Sequence, residues 1–350
     1  MTWKLSRYHA GDLVEVRSRE EILATLDGRG CLDRMPFMPE MLQYCGKRLR
    51  VAAVAHKSCD MIGQPGTGRR VDAAVHLAGV RCDGSAHGGC EAECNVYWKD
   101  AWLKPVADAR TLEAGHGAIA AEARVNESGL YSNTVAVSDA GENGVRYSCQ
   151  ATQMYEATAP LPWWDARQYL FDVTTRNHSV GRVATVLFLA GLRWLLLRIP
   201  FGYRAFRRFH DRMHEHLIGR PAPSLRPGVA QGGQTPTGTL GLQAGEYVRI
   251  KDQSEIEPTL DQKGNNRGLS FDSEEMAPYC GQVVQVRKRV SRIVDERTGR
   301  MLRMKQPCVM LEGVVCKSTY VSNRLNCPRA IPSFWREIWL ERARDEDRTP

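Results

Sequence analysis

The chain has 350 residues, of which 43% are hydrophobic, so it can bury two or three cores and is not disordered. Its formal charge of +8 is concentrated: nine arginines and two acids between positions 176 and 220 leave +7 there, which argues against a nucleic-acid surface spread along the whole chain. No apolar signal segment follows the first basic residues, so we expect a cytoplasmic protein whose eleven cysteines serve metal binding or catalysis and not a disulfide framework.

The first predicted element belongs to an internal repeat. Residues 11–27 read GDLVEVRSREEILATLD and align without a gap with GEYVRIKDQSEIEPTLD at 245–261. Further along, MLQYCGKRLRV aligns with MAPYCGQVVQV, and YWKDAWL aligns with FWREIWL. The repeat therefore covers 11–104 and 245–342, and it pairs three cysteines of each copy.

Each copy begins with strand signals. DLVEV and EYVRI alternate apolar and polar residues, KRLRVAAVA and QVVQVRKRVSRIV predict longer strands, and DERTGRM predicts a hairpin turn. The closing WREIWLERA predicts a short helix, because its two tryptophans are four residues apart. The opening glycine–acid–x–Val pattern, followed by a loop, "CG" and a second strand, resembles the SH3-like barrels of KOW and nitrile-hydratase-β type. That resemblance implies a fold and no reaction.

We therefore predict a mainly β fold with a helical insert, of the α+β class, in which two SH3-like β-barrel repeats flank a middle region. The predicted segments are the first repeat with a Cys-rich loop at 1–104, a β and aromatic region at 105–177, a basic helical pair at 178–218, a Pro/Gly linker at 219–244, the second repeat at 245–342 and a polar tail at 343–350.

The paired cysteines predict metal binding. Zinc is held by about four thiolate or imidazole ligands, so each copy offers one set of four. The predicted ligands are Cys45, Cys59, Cys82, Cys90, Cys280, Cys308, Cys316 and Cys327. The spacing favours two structural zinc ions over iron–sulfur clusters, because the tight ferredoxin-type runs are missing. The alternative is that these cysteines are core residues.

The stretch RCDGSAHGGCEAEC at 81–94 is the most unusual of the chain. His87 and Cys94 have no counterpart in the second copy, so any chemistry specific to the first copy would lie there, through a histidine beside a metal-bound or low-pKa thiol. Candidate catalytic residues are His87, Cys94 and Cys149, beside Cys90. The alternative places His87 on a solvated loop and the other two in a core.

The basic segment contains VATVLFLAGL at 183–192, ten uncharged residues that are too few to span a bilayer. Apolar and aromatic residues among many arginines are typical of an interfacial membrane helix, and equally of a helical pair packed within the protein. In HDRMH, His210 and His214 have the spacing of two zinc ligands on a helix, but Asp211 stands where metalloproteases carry glutamate.

The function expected from these patterns is a zinc-stabilised tandem β-barrel that binds an unidentified protein or small molecule, with the aromatic PLPWWDARQYLF segment in its surface. Peripheral membrane contact through 179–218 is a second possible interaction, and nucleic acid is not expected. The alternative function is a metal- or thiol-dependent enzyme with its site near His87, Cys90, Cys94 or Cys149. No catalytic role is assigned.

Overall fold

The computed structural model describes residues 3–64, 67–106, 125–136, 144–196, 198, 203–219, 222–223, 234–320 and 324–344. Each of the six predicted segments has residues outside the described ones: 1–2 and 65–66 of the first repeat, 107–124 and 137–143 of the middle region, 197 and 199–202 of the helical pair, 220–221 and 224–233 of the linker, 321–323 of the second repeat, and 345–350 of the tail. The chain divides into two compact units. The first comprises 1–180, 293–302 and 327–329, and the second comprises 181–292, 303–326 and 330–350.

The first unit contains short strands and four helices in its described part. Its strands are β1 Leu13–Val16, β2 Cys31–Leu32, β3 Met35–Pro36, β4 Arg48–Val54, β5 Lys57–Cys59, β6 Gly68–Arg70, β7 Ala74–Leu77, β8 Trp98–Lys99, β9 Leu103–Pro105, β10 Val135–Ala136, β11 Arg146–Tyr147 and β12 Ala159–Leu161. Its helices are α1 Arg19–Leu23, α2 Glu127–Asn133, α3 Gln150–Ala157 and α4 Arg167–Thr174. Two 3₁₀ turns cover Pro39–Tyr44 and Asp100–Trp102.

The second unit begins with two long helices and continues with strands. Its helices are α5 Val180–Leu196, whose first residue still belongs to the first unit, α6 Tyr203–Ile218, α7 Gln253–Ile256 and α8 Ser273–Met276. The strands that follow are β13 Tyr247–Ile250, β14 Asn265–Asn266, β15 Leu269–Ser270, β16 Val283–Arg289, β17 Arg292–Val294, β18 Met301–Arg303, β19 Cys308–Val315, β20 Pro332–Arg336 and β21 Leu340–Arg342. Residues 293–302 of the β17–β18 hairpin belong to the first unit. The structure is a mixed α+β fold.

Each unit has one five-stranded antiparallel sheet, and the strand order is the same in both. The orders are β8-β7-β4-β1-β9 and β20-β19-β16-β13-β21. The registers correspond as well: Val14 pairs with Leu49 in the first sheet and Val248 pairs with Val284 in the second. The long second strand of each sheet, β4 and β16, carries an irregularity in its pairing with the next strand. The two aligned segments therefore have equivalent sheet topologies.

The first strands follow directly from their sequence. Val14 and Val16 are fully buried while the residues between and before them are not, as period-two alternation requires. The strand ends at a capping box, in which Ser18 accepts the N–H of Glu21 and the Glu21 carboxylate accepts the N–H of Ser18. Helix α1 thus starts where the alternation stops.

Paired tryptophans fill the core of each sheet. Trp98, Trp102, Trp335 and Trp339 are all fully buried. The indole N–H of Trp102 donates to Thr25 Oγ1 at 3.1 Å, and that of Trp339 donates to the aligned Thr259 at 2.9 Å. The predicted helix over WREIWLERA is wrong, because Trp335 lies in strand β20, one residue before its end, and Trp339 closes a 3₁₀ turn between β20 and β21. A strand end followed by a tight turn also puts residues four apart into one core.

Helices α5 and α6 occupy the basic segment. Among the described residues, no helix is both long enough and apolar enough to cross a bilayer. Helix α5 buries the stripe Val183, Val186, Leu189 and Leu196. Helix α6 buries His210 and His214.

Candidate functional site

The Cys-rich loop after β7 is shaped by its glycines. Gly84 has φ +72°, and its carbonyl accepts the N–H groups of His87 at 3.1 Å and Gly89 at 2.9 Å. A Cβ on Gly84 would lie 2.0 Å from the carbonyl oxygen of Cys90, so only glycine fits there. This closed loop turns the side chains of Cys82 and His87 toward each other.

The third member of the cluster comes from the 3₁₀ turn Pro39–Tyr44. Glu40 Oε1 lies 3.4 Å from Cys82 Sγ and 3.6 Å from His87 Nδ1, and Cys82 Sγ lies 3.5 Å from His87 Nε2. Among the described residues, these three form the one group of three or more potential metal ligands whose atoms all lie within 4.8 Å of one another. We call Glu40, Cys82 and His87 the EHC cluster.

Burial leaves the EHC cluster short of partners. The side chains of His87 and Glu40 are 1% and 3% exposed, and neither His87 Nδ1 nor Glu40 Oε2 makes a hydrogen bond. Desolvation raises the pKa of the Glu40 carboxyl and of the Cys82 thiol, and it lowers the pKa of His87 to about 4. The cluster by itself therefore favours neutral groups: His87 is then already in its ligating form, and a bound cation would stabilise the deprotonated forms of Glu40 and Cys82.

The separations within the EHC cluster have a geometric meaning. Ligands of a tetrahedral zinc ion lie about 2.0 to 2.3 Å from the metal, which places neighbouring ligand atoms about 3.3 to 3.8 Å apart. The Sγ–Oε1 and Sγ–Nε2 distances of 3.4 and 3.5 Å match two edges of such a tetrahedron, and all three ligand atoms lie within 4.8 Å of one another. A thiol, an imidazole and a carboxylate are also the three ligand types that zinc takes from proteins.

The second copy contains the acid and the thiol without the histidine. Glu275 aligns with Glu40, and Cys316 aligns with Cys82. There, Glu275 Oε2 accepts the backbone N–H groups of Lys317 and Ser318, both at 3.0 Å, and Cys316 Sγ lies 3.2 Å from Ser318 Oγ. Backbone N–H groups thus satisfy one carboxylate oxygen of Glu275 in the second copy, whereas in the first copy the carboxylate of Glu40 faces His87.

The structure does not gather the eight predicted cysteine ligands into two groups of four. Of the eight, only Cys82 belongs to a group with close ligand atoms among the described residues. Cys45 and Cys280 cap 3₁₀ turns, and Cys59 and Cys308 lie buried in strands β5 and β19. The Sγ of buried Cys90 accepts the N–H of Val294 at 3.2 Å. Cys327 belongs to the first unit, whereas Cys280, Cys308 and Cys316 belong to the second.

The other candidate catalytic cysteines have core surroundings. Cys149 is 7% exposed at the start of α3, where burial raises its pKa to about 11 despite the helix N-terminus. Burial raises the pKa of Cys94 as well, and its side chain packs against the core of the first unit. Neither thiol has the lowered pKa that a nucleophile requires.

The two histidines of HDRMH are separate from any third ligand in the described part of the chain. His214 Nε2 lies 3.0 Å from the Tyr320 hydroxyl, and His210 Nδ1 lies 3.0 Å from Asp211 Oδ1. Their ring centroids are 6.3 Å apart. The helical spacing brings them onto the buried face of α6 without forming a zincin-like site.

A buried ion pair connects helix α4 to strand β5. Lys57 Nζ lies 2.7 Å from Asp172 Oδ2, and the Nε2 of His56 lies 3.2 Å from the other carboxylate oxygen. All three side chains are at most 2% exposed. This group positions the aromatic segment that precedes and includes α4.

A cavity of about 180 Å³ lies in the first unit beside the turn of β2 and β3. Its lining includes Cys31, Met38 and Thr134. Thr134 Oγ1 donates to the carbonyl of Ala86 at 2.6 Å, so the cavity wall contacts the residue just before His87. Burial raises the pKa of the Cys31 thiol in this lining to about 11.

Sequence reasoning identified Cys82 and His87 but missed Glu40. The signal was present in the repeat, because an acid stands directly before each aligned methionine, in EMLQYCG and EMAPYCG. An acid that recurs at the same position of both copies is a candidate partner for a cysteine that also recurs in both.

No protein-family model matches the chain, and no curated protein matches it significantly.

Proposed function

We propose that this protein is a metal-stabilised binding protein built from two SH3-like β-barrels, and that the EHC cluster holds one zinc ion in the first of them. The observation that carries the proposal is the convergence of Glu40, Cys82 and His87 within 4.8 Å, with both distances from Cys82 Sγ in the range of tetrahedral zinc ligands. Zinc suits this mixed set better than magnesium or calcium, which prefer oxygen ligands.

The barrel assignment is supported by the strand order and by one further feature. In both units the last two strands of the sheet are separated by a 3₁₀ turn, Asp100–Trp102 in one and Glu337–Trp339 in the other. Loops held by a rigid sheet of this kind are where binding residues are disproportionately found.

The binding surface that we propose lies in the segment before α4. Trp163 and Trp164 are 51% and 68% exposed, and Leu170 on α4 is 59% exposed. Exposed aromatic side chains on a positioned segment are the groups that dominate interface energetics. Asp172, held by Lys57, fixes the helix behind them.

The metal proposal is tested by elemental analysis of the protein purified without added metal. We expect about one zinc per chain, because one group of converging ligands would hold one ion. Substituting Cys82→Ser, Glu40→Gln or His87→Ala should lower that content several-fold. The matched control is Cys316→Ser, which removes the aligned thiol of the second copy and should leave the zinc content unchanged.

Two outcomes would contradict the one-ion site. A folded, metal-free protein would make the EHC cluster a polar core group. Two zinc ions per chain, of which Cys82→Ser and Cys316→Ser each remove one, would instead support the two four-cysteine sites predicted from the sequence.

A second candidate function is a thiol-dependent enzyme, and one observation favours it. The imidazole of His87 faces Cys82 through Nε2 and Glu40 through Nδ1, which is the order of a nucleophile, a base and an orienting acid. Burial raises the pKa of the Cys82 thiol, so this candidate requires transfer of the thiol proton to His87, a contact that the described residues do not offer Cys94 or Cys149. The test is alkylation of the chelator-treated protein at neutral pH. The enzyme candidate is supported if Cys82 is the first thiol modified and His87→Ala slows this reaction more than tenfold. Slow modification of Cys82 contradicts it.

A further inference from the structure

Helix α5 is apolar on both of its faces. Its buried stripe is accompanied by a second stripe of solvent-facing residues with helical spacing: Ala184, Leu187, Phe188, Gly191, Trp194 and Leu195. The exposed fractions of Phe188 and Trp194 are 45% and 47%. An exposed apolar stripe of this length, opposite a buried one, is normally covered, so this face is expected to have a partner.

Helix α6 presents a different exposed face. Arg204, Arg208 and Arg212 follow one another at four-residue spacing, and all three are exposed. Arg207 pairs with Asp211, but these three guanidinium groups form no ion pair among the described residues. The stripe therefore places three positive charges on one side of the helix, none of them in an ion pair with a described residue.

We propose that the exposed faces of α5 and α6 bind the surface of an anionic phospholipid membrane. The apolar stripe of α5 would enter the headgroup boundary, and the arginines of α6 would contact lipid phosphates. Trp194, with the guanidinium of Arg198 stacked 4.1 Å above its ring, is the aromatic–cation combination that membrane interfaces favour. A helix lying in the interface does not need the length of a spanning one.

Charge decides between a membrane and a second copy of the chain. An isologous dimer through this surface would bring two segments of net charge +7 together, with only Asp211 and Glu215 to offset the arginines on each side. An anionic bilayer supplies both an apolar layer and negative charge, so it complements both helix faces.

The test is co-sedimentation of the full-length protein with vesicles at low salt. We expect binding to phosphatidylcholine vesicles that contain phosphatidylserine, and weak binding to vesicles of phosphatidylcholine alone. High salt should weaken the binding. Because each basic residue near an anionic surface contributes about a fivefold factor, the triple variant R204Q/R208Q/R212Q should bind roughly 100-fold more weakly.

Two further variants test the apolar stripe of α5 and the effect of the protein's net charge separately from the arginine stripe of α6. The variant L187S/F188S/W194S changes only solvent-facing residues, and it should lose binding by about the same factor. The control variant removes three exposed arginines elsewhere, R29Q/R48Q/R303Q, and should bind like the unsubstituted protein. Circular dichroism establishes that each variant is folded.

Three results would overturn the proposal. The first is failure of the intact protein to bind phosphatidylserine vesicles at low salt. The second is equal loss in the control variant, which would make binding a matter of total charge. The third is a concentration-dependent dimer that L187S/F188S/W194S abolishes without any lipid binding, which would assign this face to a second copy.

Discussion

Replacing Gly84 with alanine should disrupt the loop that holds the EHC cluster, and Gly79 offers a matched control. Both glycines have φ +72°, so alanine at either position pays the same backbone strain, about 1 to 2 kcal/mol. The two positions differ only in what a Cβ would meet. At Gly79 nothing lies within 4 Å, whereas at Gly84 the Cβ would lie 2.0 Å from the Cys90 carbonyl oxygen and 2.6 Å from its nitrogen.

The magnitude follows from this contact. An ordinary Cβ contact is at least 3.4 Å, so the backbone of Cys90 or Gly84 must move by more than 1 Å. The Cβ would meet backbone atoms of Cys90, and the loop around them is closed by hydrogen bonds to the Gly84 carbonyl, so the movement breaks those bonds. We expect Gly84→Ala to lower the free energy of unfolding of the first unit by about 3 kcal/mol more than Gly79→Ala does.

The measurement is urea unfolding of both variants, together with their zinc content. Gly79→Ala should shift the transition slightly and keep the metal, while Gly84→Ala should shift it strongly and lose the metal, since Cys82 and His87 are no longer aligned. Equal shifts for the two variants would refute the loop geometry described for residues 82–90.

Three more predictions concern buried groups. Asp172→Ala should cost about 3 to 5 kcal/mol because it leaves Lys57 buried without its partner, and exchanging both for apolar residues should recover much of that loss in thermal or urea unfolding. Burial lowers the pKa of His76 to about 4, so the stability that depends on its neutral imidazole is fully present above the unfolded pKa of about 6.5 and is lost as the pH falls toward 4. His76→Gln should therefore reduce the pH dependence of the free energy of unfolding in that window by about 3 kcal/mol. An unchanged pH profile would contradict this origin of the pH dependence. Thr25→Ala and Thr259→Ala each orphan a buried indole N–H and should each cost about 1 to 3 kcal/mol; very different costs would contradict the equivalence of the two sheets.

The sequence was informative about local patterns and about the repeat. Alternation at Val14 and Val16 predicted strand β1, and the aligned segments have matching strand orders. The predicted helix at Trp335 and Trp339 failed because four-residue spacing is also produced by a strand that ends in a 3₁₀ turn. Periodicity over four residues cannot separate these two backbones.

The candidate site was predictable only in part. The loop RCDGSAHGGCEAEC indicated Cys82 and His87, because short-spaced thiol and imidazole groups can meet within one turn. Glu40 is 42 residues before Cys82, and its approach depends on how the 3₁₀ turn packs against the loop. The expected cysteine quartets failed to gather for the same reason, since spacing along the chain does not fix distance across a core, and buried thiols pack well without any metal.

The membership of 293–302 and 327–329 in the first unit has a consequence for how the protein is made. Arg329, 2% exposed, donates to Glu296 at 2.5 Å and to Cys59 Sγ at 3.6 Å, so two late segments supply groups to a unit whose other residues come first. On the ribosome, the first 180 residues emerge long before Arg329 does. Nascent chains therefore carry an incomplete first unit, with Cys59 and its neighbours lacking the Arg329 guanidinium, until residue 329 has been synthesised. A chain truncated before residue 329 would lack these parts of the first unit permanently.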